Sequence, residues 1–226
     1  MPRTNYLATT IFIIIVAVLA TALGNRQGGG NQQTTRTEKK DASKELIEAT
    51  RNGGLKEAAR IKKNFVSSER ISGWAKYDLE GLTHKSSLIV IGTPILSTSK
   101  LSDSGQQILT EHQVRVEQTV KGTLPPNHVI TVTVIGGKIA FEDGTTAEIR
   151  TPDLGPISTG KTYIFFLNER QNASADNFGL TGGGQGLFEI TSDSTIEPRG
   201  EKADTVQKYK HAAATSFVEE IKTTRG

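Results

Sequence analysis

Residues 106–120, QQILTEHQVRVEQTV, decide the fold. Ile108, Thr110, His112, Val114, Val116, Gln118 and Val120 share one side of an extended chain. Leu109, Glu111, Gln113, Arg115, Glu117 and Thr119 share the other. Successive side chains of a strand point to opposite faces, so this alternation predicts a long, half-buried strand. The neighbouring stretches continue the theme. NHVITVTVIGG (127–137) places Ile130, Val132 and Val134 on one face, and SLIVIGTPIL (87–96) is a β-rich apolar run. In KIAFEDGTTAEIR (138–150), Asp143-Gly144 between two short apolar stretches predicts a hairpin. KTYIFFL (161–167) is apolar on both faces and should be a central strand, and QGLFEIT (185–191) gives a further one after the Gly182-Gly183-Gly184 bend.

Successive strands with short turns and no helices between them predict a mainly β body with an antiparallel sheet. With five or six strands, closure into a small OB-like barrel would remove exposed edges; an open sandwich is the alternative. Helices are expected to flank it. Residues 75–86 form a short one, with Tyr77, Leu79 and Leu82 on one side. Val206, Tyr209, Ala213, Phe217 and Ile221 recur at helical spacing, with Asp204 able to cap.

Composition divides the rest of the chain. Residues 7–23, LATTIFIIIVAVLATAL, carry no charge and follow Arg3. This stretch reads as a signal peptide or membrane anchor, with the small residues Ala20-Thr21-Ala22 suited to cleavage. It predicts an extracytoplasmic body, membrane-anchored or secreted. Residues 24–42, rich in Gly, Gln and Thr, read as a flexible linker. Residues 43–73 read as a basic helical segment of two short helices broken at Gly53-Gly54. The barrel then occupies 74–199 and a C-terminal amphipathic helix 200–226. The net charge is +5 over residues 24–73 and −4 over 74–199, so the boundaries coincide with shifts in composition.

The 226 residues contain no cysteine, which excludes disulfide scaffolds, thiolate metal sites and cysteine nucleophiles. An overall charge of +3 gives no reason to expect nucleic acid as a partner. Two stretches imitate enzymes. GPISTGKT, Gly155 to Thr162, fits the phosphate-loop pattern, but that loop needs a helix starting at its lysine. Here Lys161 is followed by the strand-like TYIFFL. Ser97-Thr98-Ser99-Lys100 fits the Ser-x-x-Lys of penicillin-recognising enzymes, which bury that serine at a helix start; a polar loop is expected instead. His112 should be a hydrogen-bonded wall residue rather than a ligand, and His84, His128 and His211 share no ligand spacing. Glu142-Asp143 belongs to a turn, and Asn172-Ala173-Ser174 is a glycosylation sequon. No catalytic, cofactor-binding or metal-binding residue is therefore assigned. The expected function is a non-catalytic module that binds a protein or an envelope polymer, with the Gly-rich loop 182–186 and the hairpin 136–150 as candidate contacts. The competing reading is an enzyme, either a nucleotide hydrolase using Lys161 or a serine acyltransferase using Ser97.

Three stretches together carry a family resemblance. YDLEGLTHKSSLIVIGTPI joins a short helix to a strand ending in Gly-Thr. VRVEQTVKGTLPPNHVITVTVIGG joins two strands through a Lys-Gly turn and prolines. GKTYIFFL leads a Gly-Lys turn into an aromatic-rich strand. Their order resembles netrin-like domains, including the tissue inhibitors of metalloproteinases, and uncharacterised secreted bacterial domains, over residues 75–192. The resemblance implies an OB-type barrel with flanking helices. The inhibitors chelate a protease zinc through an N-terminal cysteine, and this chain has none. No inhibitory residue carries over.

Overall fold

The computed structural model describes residues 32–68, 75–171, 173–200 and 204–224. The apolar stretch 7–23, the linker up to residue 31 and Asn172 lie outside the described residues. The chain is mainly β, with two sheets and flanking helices. Its elements are α1 (Gln32–Ile61), β1 (Asn64–Ser68), α2 (Leu79–Lys85), β2 (Leu88–Leu101), β3 (Ile108–Lys121), β4 (Val129–Ile135), β5 (Gly137–Ala140), β6 (Thr146–Arg150), β7 (Thr162–Glu169), β8 (Asn177–Leu180), β9 (Leu187–Ile190), β10 (Ile196–Pro198), α3 (Asp204–Gln207) and α4 (Ala214–Thr224), with a 3-10 turn at Gly183–Gly186. Among the described residues no helix is long and apolar enough to cross a membrane.

The larger sheet runs β10-β9-β7-β2-β3-β4-β8, and β8 also pairs with β7. The strands β7, β2, β3, β4 and β8 therefore form a closed ring of pairings. The sheet is not purely antiparallel. β4 and β8 run parallel, as do β1 and β6 in the smaller sheet β1-β6-β5. A parallel joint needs a long crossover, and the β5–β6 hairpin and β7 supply it between β4 and β8.

As its two-sided apolar pattern predicts, β7 is central. Tyr163, Phe165 and Leu167 point into the ring with Val90, Val114, Val116, Ile130 and Val132. Ile164 and Phe166 point outward beneath α2 and α4, with Leu79, Leu82, Phe188, Phe217 and Ile221. The alternation in β3 holds from Ile108 to Val116 and then slips. Ile89 pairs with Lys121 and Val90 with Thr119; Ile91 pairs with Gln118 and Gly92 with Val116. β3 thus holds extra residues at Val120 and Glu117. Such bulges bend a strand and re-aim its side chains. Val120 accordingly joins the helix-covered core while Val116 stays inside the ring.

A third core gathers Leu46, Leu55, Ala58, Ala59, Phe65, Ile108, Ala147 and Ile149. The expected helix over residues 43–73, with its break at Gly53-Gly54, is met up to Ile61 and corrected beyond it. The helix starts at Gln32, breaks at Gly54 (φ 71°) and ends at Ile61, and residues 64–68 are a strand beside β6. Phe65 and Ser67 are buried there in strand alternation. At the break, Leu55 N donates to Gly105 O at 2.9 Å, and a side chain on Gly54 would strike that same carbonyl. The Asp143-Gly144 hairpin forms as expected, between β5 and β6. The C-terminal helix is divided. His211 has φ 66°, and residues 211 and 212 bond the edge of β10 through His211 N to Ile196 O and Ile196 N to Ala212 O. That edge pairing interrupts the helix, and it moves the buried alanine from the expected Ala213 to Ala214.

Candidate functional site

Lys161, Lys100, Ser97, His112, Asp143, His84 and His128 acquire side-chain partners in the fold. Gly160 (φ +79°) turns the chain into β7, so Lys161 precedes a strand and no helix N-terminus faces it. Lys161 Nζ lies 2.7 Å from Oε1 of Glu189 on β9, and Arg199 Nη1 lies 3.6 Å from Oε2. Glu189 is buried. A buried carboxylate requires such pairing, so the lysine of the phosphate-loop look-alike has a structural task.

The Ser-x-x-Lys stretch is not a loop; it lies within β2. Residues three apart on a strand face opposite ways, which separates the pair. Lys100 joins Glu111 at 2.6 Å. Ser97 Oγ, on the other face, is exposed and lies 2.7 Å from Nδ1 of buried His112. Next along that face, Ser99 Oγ lies 2.9 Å from Thr110 Oγ1, which donates to Gly136 O. Ser97 and His112 resemble a nucleophile and its base. Burial alone, however, pushes the imidazole down from 6.5 to about 4. No carboxylate contributes to that shift, and a base so weak draws little proton from a hydroxyl at neutral pH.

The same burial predicts a pH dependence. The folded ring resists protonation while the unfolded one accepts it near 6.5. The contribution is therefore complete above that value and is lost as pH falls toward 4. From about pH 7.5 to about pH 5 the loss should be about 2 kcal/mol. Urea unfolding at both values checks this, and His112→Asn should flatten the slope. An equal slope in that variant would locate the titrating group elsewhere.

Asp143, His84 and His128 have partners of their own. Asp143 accepts bonds from the Thr145 hydroxyl and backbone N–H, which hold its carboxyl below the usual range. His84 lies 3.8 Å from Glu80, and His128 lies 3.2 Å from Asp176. Among the described residues no group of His, Asp or Glu could hold a metal ion. The Gly-rich loop 182–186, expected as a contact, is mostly buried in backbone packing: Gly184 abuts the Asp153 carbonyl and Gly200, while Gln185 donates to Ala75 O and Gly182 O.

The open surface lies on the outer face of β3, β4 and β8. Gln113 and Arg115 are exposed there, and Thr133 Oγ1 donates to Asn177 Oδ1 at 3.0 Å. The β2–β3 turn and the β7–β8 turn flank a groove of about 710 Å³, with Lys100, Glu111, Thr131, Arg170 and Asn177 among its walls. An adjoining hollow of about 180 Å³ runs toward Leu154, and another of about 400 Å³ toward Leu124. Arg170 lines all three. Its backbone N–H donates to Asn177 O, and its stem passes Gly179, where a Cβ would sit 3.6 Å from Cγ. Arg170 is half-buried, and among the described residues no carboxylate pairs with its guanidinium.

Sequence reasoning missed Arg170. One basic residue after a strand carries no motif, and its value comes from pairings that join β8 to both β4 and β7. No protein-family model matches the chain, and no curated protein is similar to it.

Proposed function

We propose that this chain is a non-catalytic binding module of the netrin-like, OB-type kind, held at or released beyond a membrane through residues 7–23. Its body faces away from the cytoplasm and binds a protein or envelope polymer across the outer face of β3, β4 and β8. The order of the ring supports the OB-type reading: three antiparallel strands β2, β3 and β4, then β8 parallel to β4, then β7 closing back onto β2. OB-type barrels bind ligands over their second and third strands, between the loops after strands one and four. The corresponding parts here are β3, β4, the 102–107 turn and residues 170, 171 and 173–176.

The observation that carries this reading is the half-buried Arg170, paired with no carboxylate among the described residues, where three hollows meet. Solvated surface arginines need no such setting, whereas a recognition face uses an arginine of this kind. The weak imidazole beside Ser97 and the structural engagement of Lys161 favour binding over catalysis.

Substituting the face tests the proposal. Full-length protein carrying Arg170→Glu and Thr131→Glu should keep its circular dichroism and lose at least tenfold in retention of envelope material. Retention equal to that of the unsubstituted chain would remove this face from the function.

A further inference from the structure

We infer that the occupant of this face is a polypeptide, which seats one apolar side chain in the hollow beside Arg170 and a neighbouring carboxylate on the guanidinium. The inference rests on the reading of that face as a binding surface.

The size of the hollow is the first observation. At about 180 Å³ it is smaller than sites that enclose a whole small molecule, which run from about 300 Å³. It is comparable to an apolar cavity of about 150 Å³ that accepts a benzene ring. One leucine- or phenylalanine-sized group fits such a space. Its lining is the second observation: Leu109, Val134, Ile135, Leu154 and Leu180 supply its apolar side chains.

The charges are the third. Arg170 stands at one side of the hollow and Asp153 is the one carboxylate that lines it. An acidic polymer would find one cation in the hollow, and the next, Lys100 in the adjoining groove, is already paired with Glu111. Single-stranded nucleic acid needs aromatic platforms and a basic track, and the hollow offers no aromatic wall and a single cation. A peptide presents what these walls complement: an apolar side chain, a carboxylate for the bidentate fork of arginine, and backbone N–H groups for acceptors. Beyond Arg170 the groove continues past Thr131, Asn177 and the Lys100–Glu111 pair, which offer hydrogen bonds to an extended backbone.

The test uses the full-length chain in detergent and an array of Gly/Ser-based heptapeptides. One set carries Leu, Ile or Phe followed by Asp or Glu. Matched sets replace the acid by its amide or the apolar residue by Ala. The expected result is binding that needs both residues, with at least a tenfold preference for acid over amide. Arg170→Gln should abolish the acid preference. Gly179→Leu should abolish the apolar preference; a Cβ at 179 has only the Arg170 stem within 4 Å. Equal binding of acid and amide peptides, or an Arg170→Gln variant that keeps the preference, would overturn the inference. So would binding of oligogalacturonate at this face with no peptide bound; the binding reading would then survive. If no peptide binds and the face substitutions also leave envelope retention unchanged, both fall.

Discussion

Phe188→Ala should lower the stability of the folded chain by about 3–5 kcal/mol. Phe188 is fully buried between the sheet and the C-terminal helix. Its ring centroid lies 5.7 Å from that of Phe166 on β7 and 4.8 Å from that of Phe217 on α4. Phe217 in turn meets Tyr209 edge-on at 4.8 Å. Truncation removes one ring's transfer energy, breaks the centre of this aromatic chain and leaves a void that rigid strands cannot close. Total stabilities run at about 5–15 kcal/mol, so the loss is a large share. Urea unfolding gives the number directly. Phe188→Leu keeps most of the volume and should lose far less, below about 2 kcal/mol. A loss under about 1 kcal/mol for the alanine variant would mean that α4 contributes little to the fold.

Gly184→Ala should be destabilising by about 3 kcal/mol or more. A Cβ at Gly184 would collide with the Asp153 carbonyl oxygen and come within 3.0 Å of Gly200 Cα. Gly200 repeats the constraint, since a Cβ there would lie 2.5 Å from Gly184 O. Every neighbour is backbone, and no flexible side chain can move aside. Gly105→Ala provides the comparison: its φ is +70° but nothing lies within 4 Å of its Cβ position. That variant should show only the left-handed backbone penalty, about 1–2 kcal/mol. Thermal unfolding of the two proteins side by side separates crowding from backbone strain. Equal losses would show that the junction of residues 153, 184 and 200 yields.

What could be read in the sequence was what a local pattern encodes. The two-sided apolar run of β7, the Asp143-Gly144 turn and the face carrying Phe217 and Ile221 all follow from spacing alone. β1 could not be read that way. NFVSS is short and follows a lysine-rich helix end, and it becomes a strand because β6 offers an open edge. The break at His211 likewise depends on β10, whose edge takes hydrogen bonds from a distant segment. The candidate site was harder still. The sequence pattern joined Ser97 to Lys100, but a strand sends residues three apart to opposite faces, and the partner of Ser97 proved to be His112 on the neighbouring strand. Arg170 became visible only through the pairing of β8 with both β4 and β7, which no periodicity announces.

That double pairing also bears on how the molecule is made. Thr131 and Asn177 become neighbours only after the β5–β6 hairpin, the 151–160 loop and the whole of β7 have been laid down between them. Contacts so distant along the chain are assembled late and slowly, because their closure entropy must be met first. Until then the edge of β4 has no partner. Arg170 and Gly179 flank this late joint, so the proposed binding face is complete only in the folded chain. Under the proposed function, competence to bind and completion of folding arrive together.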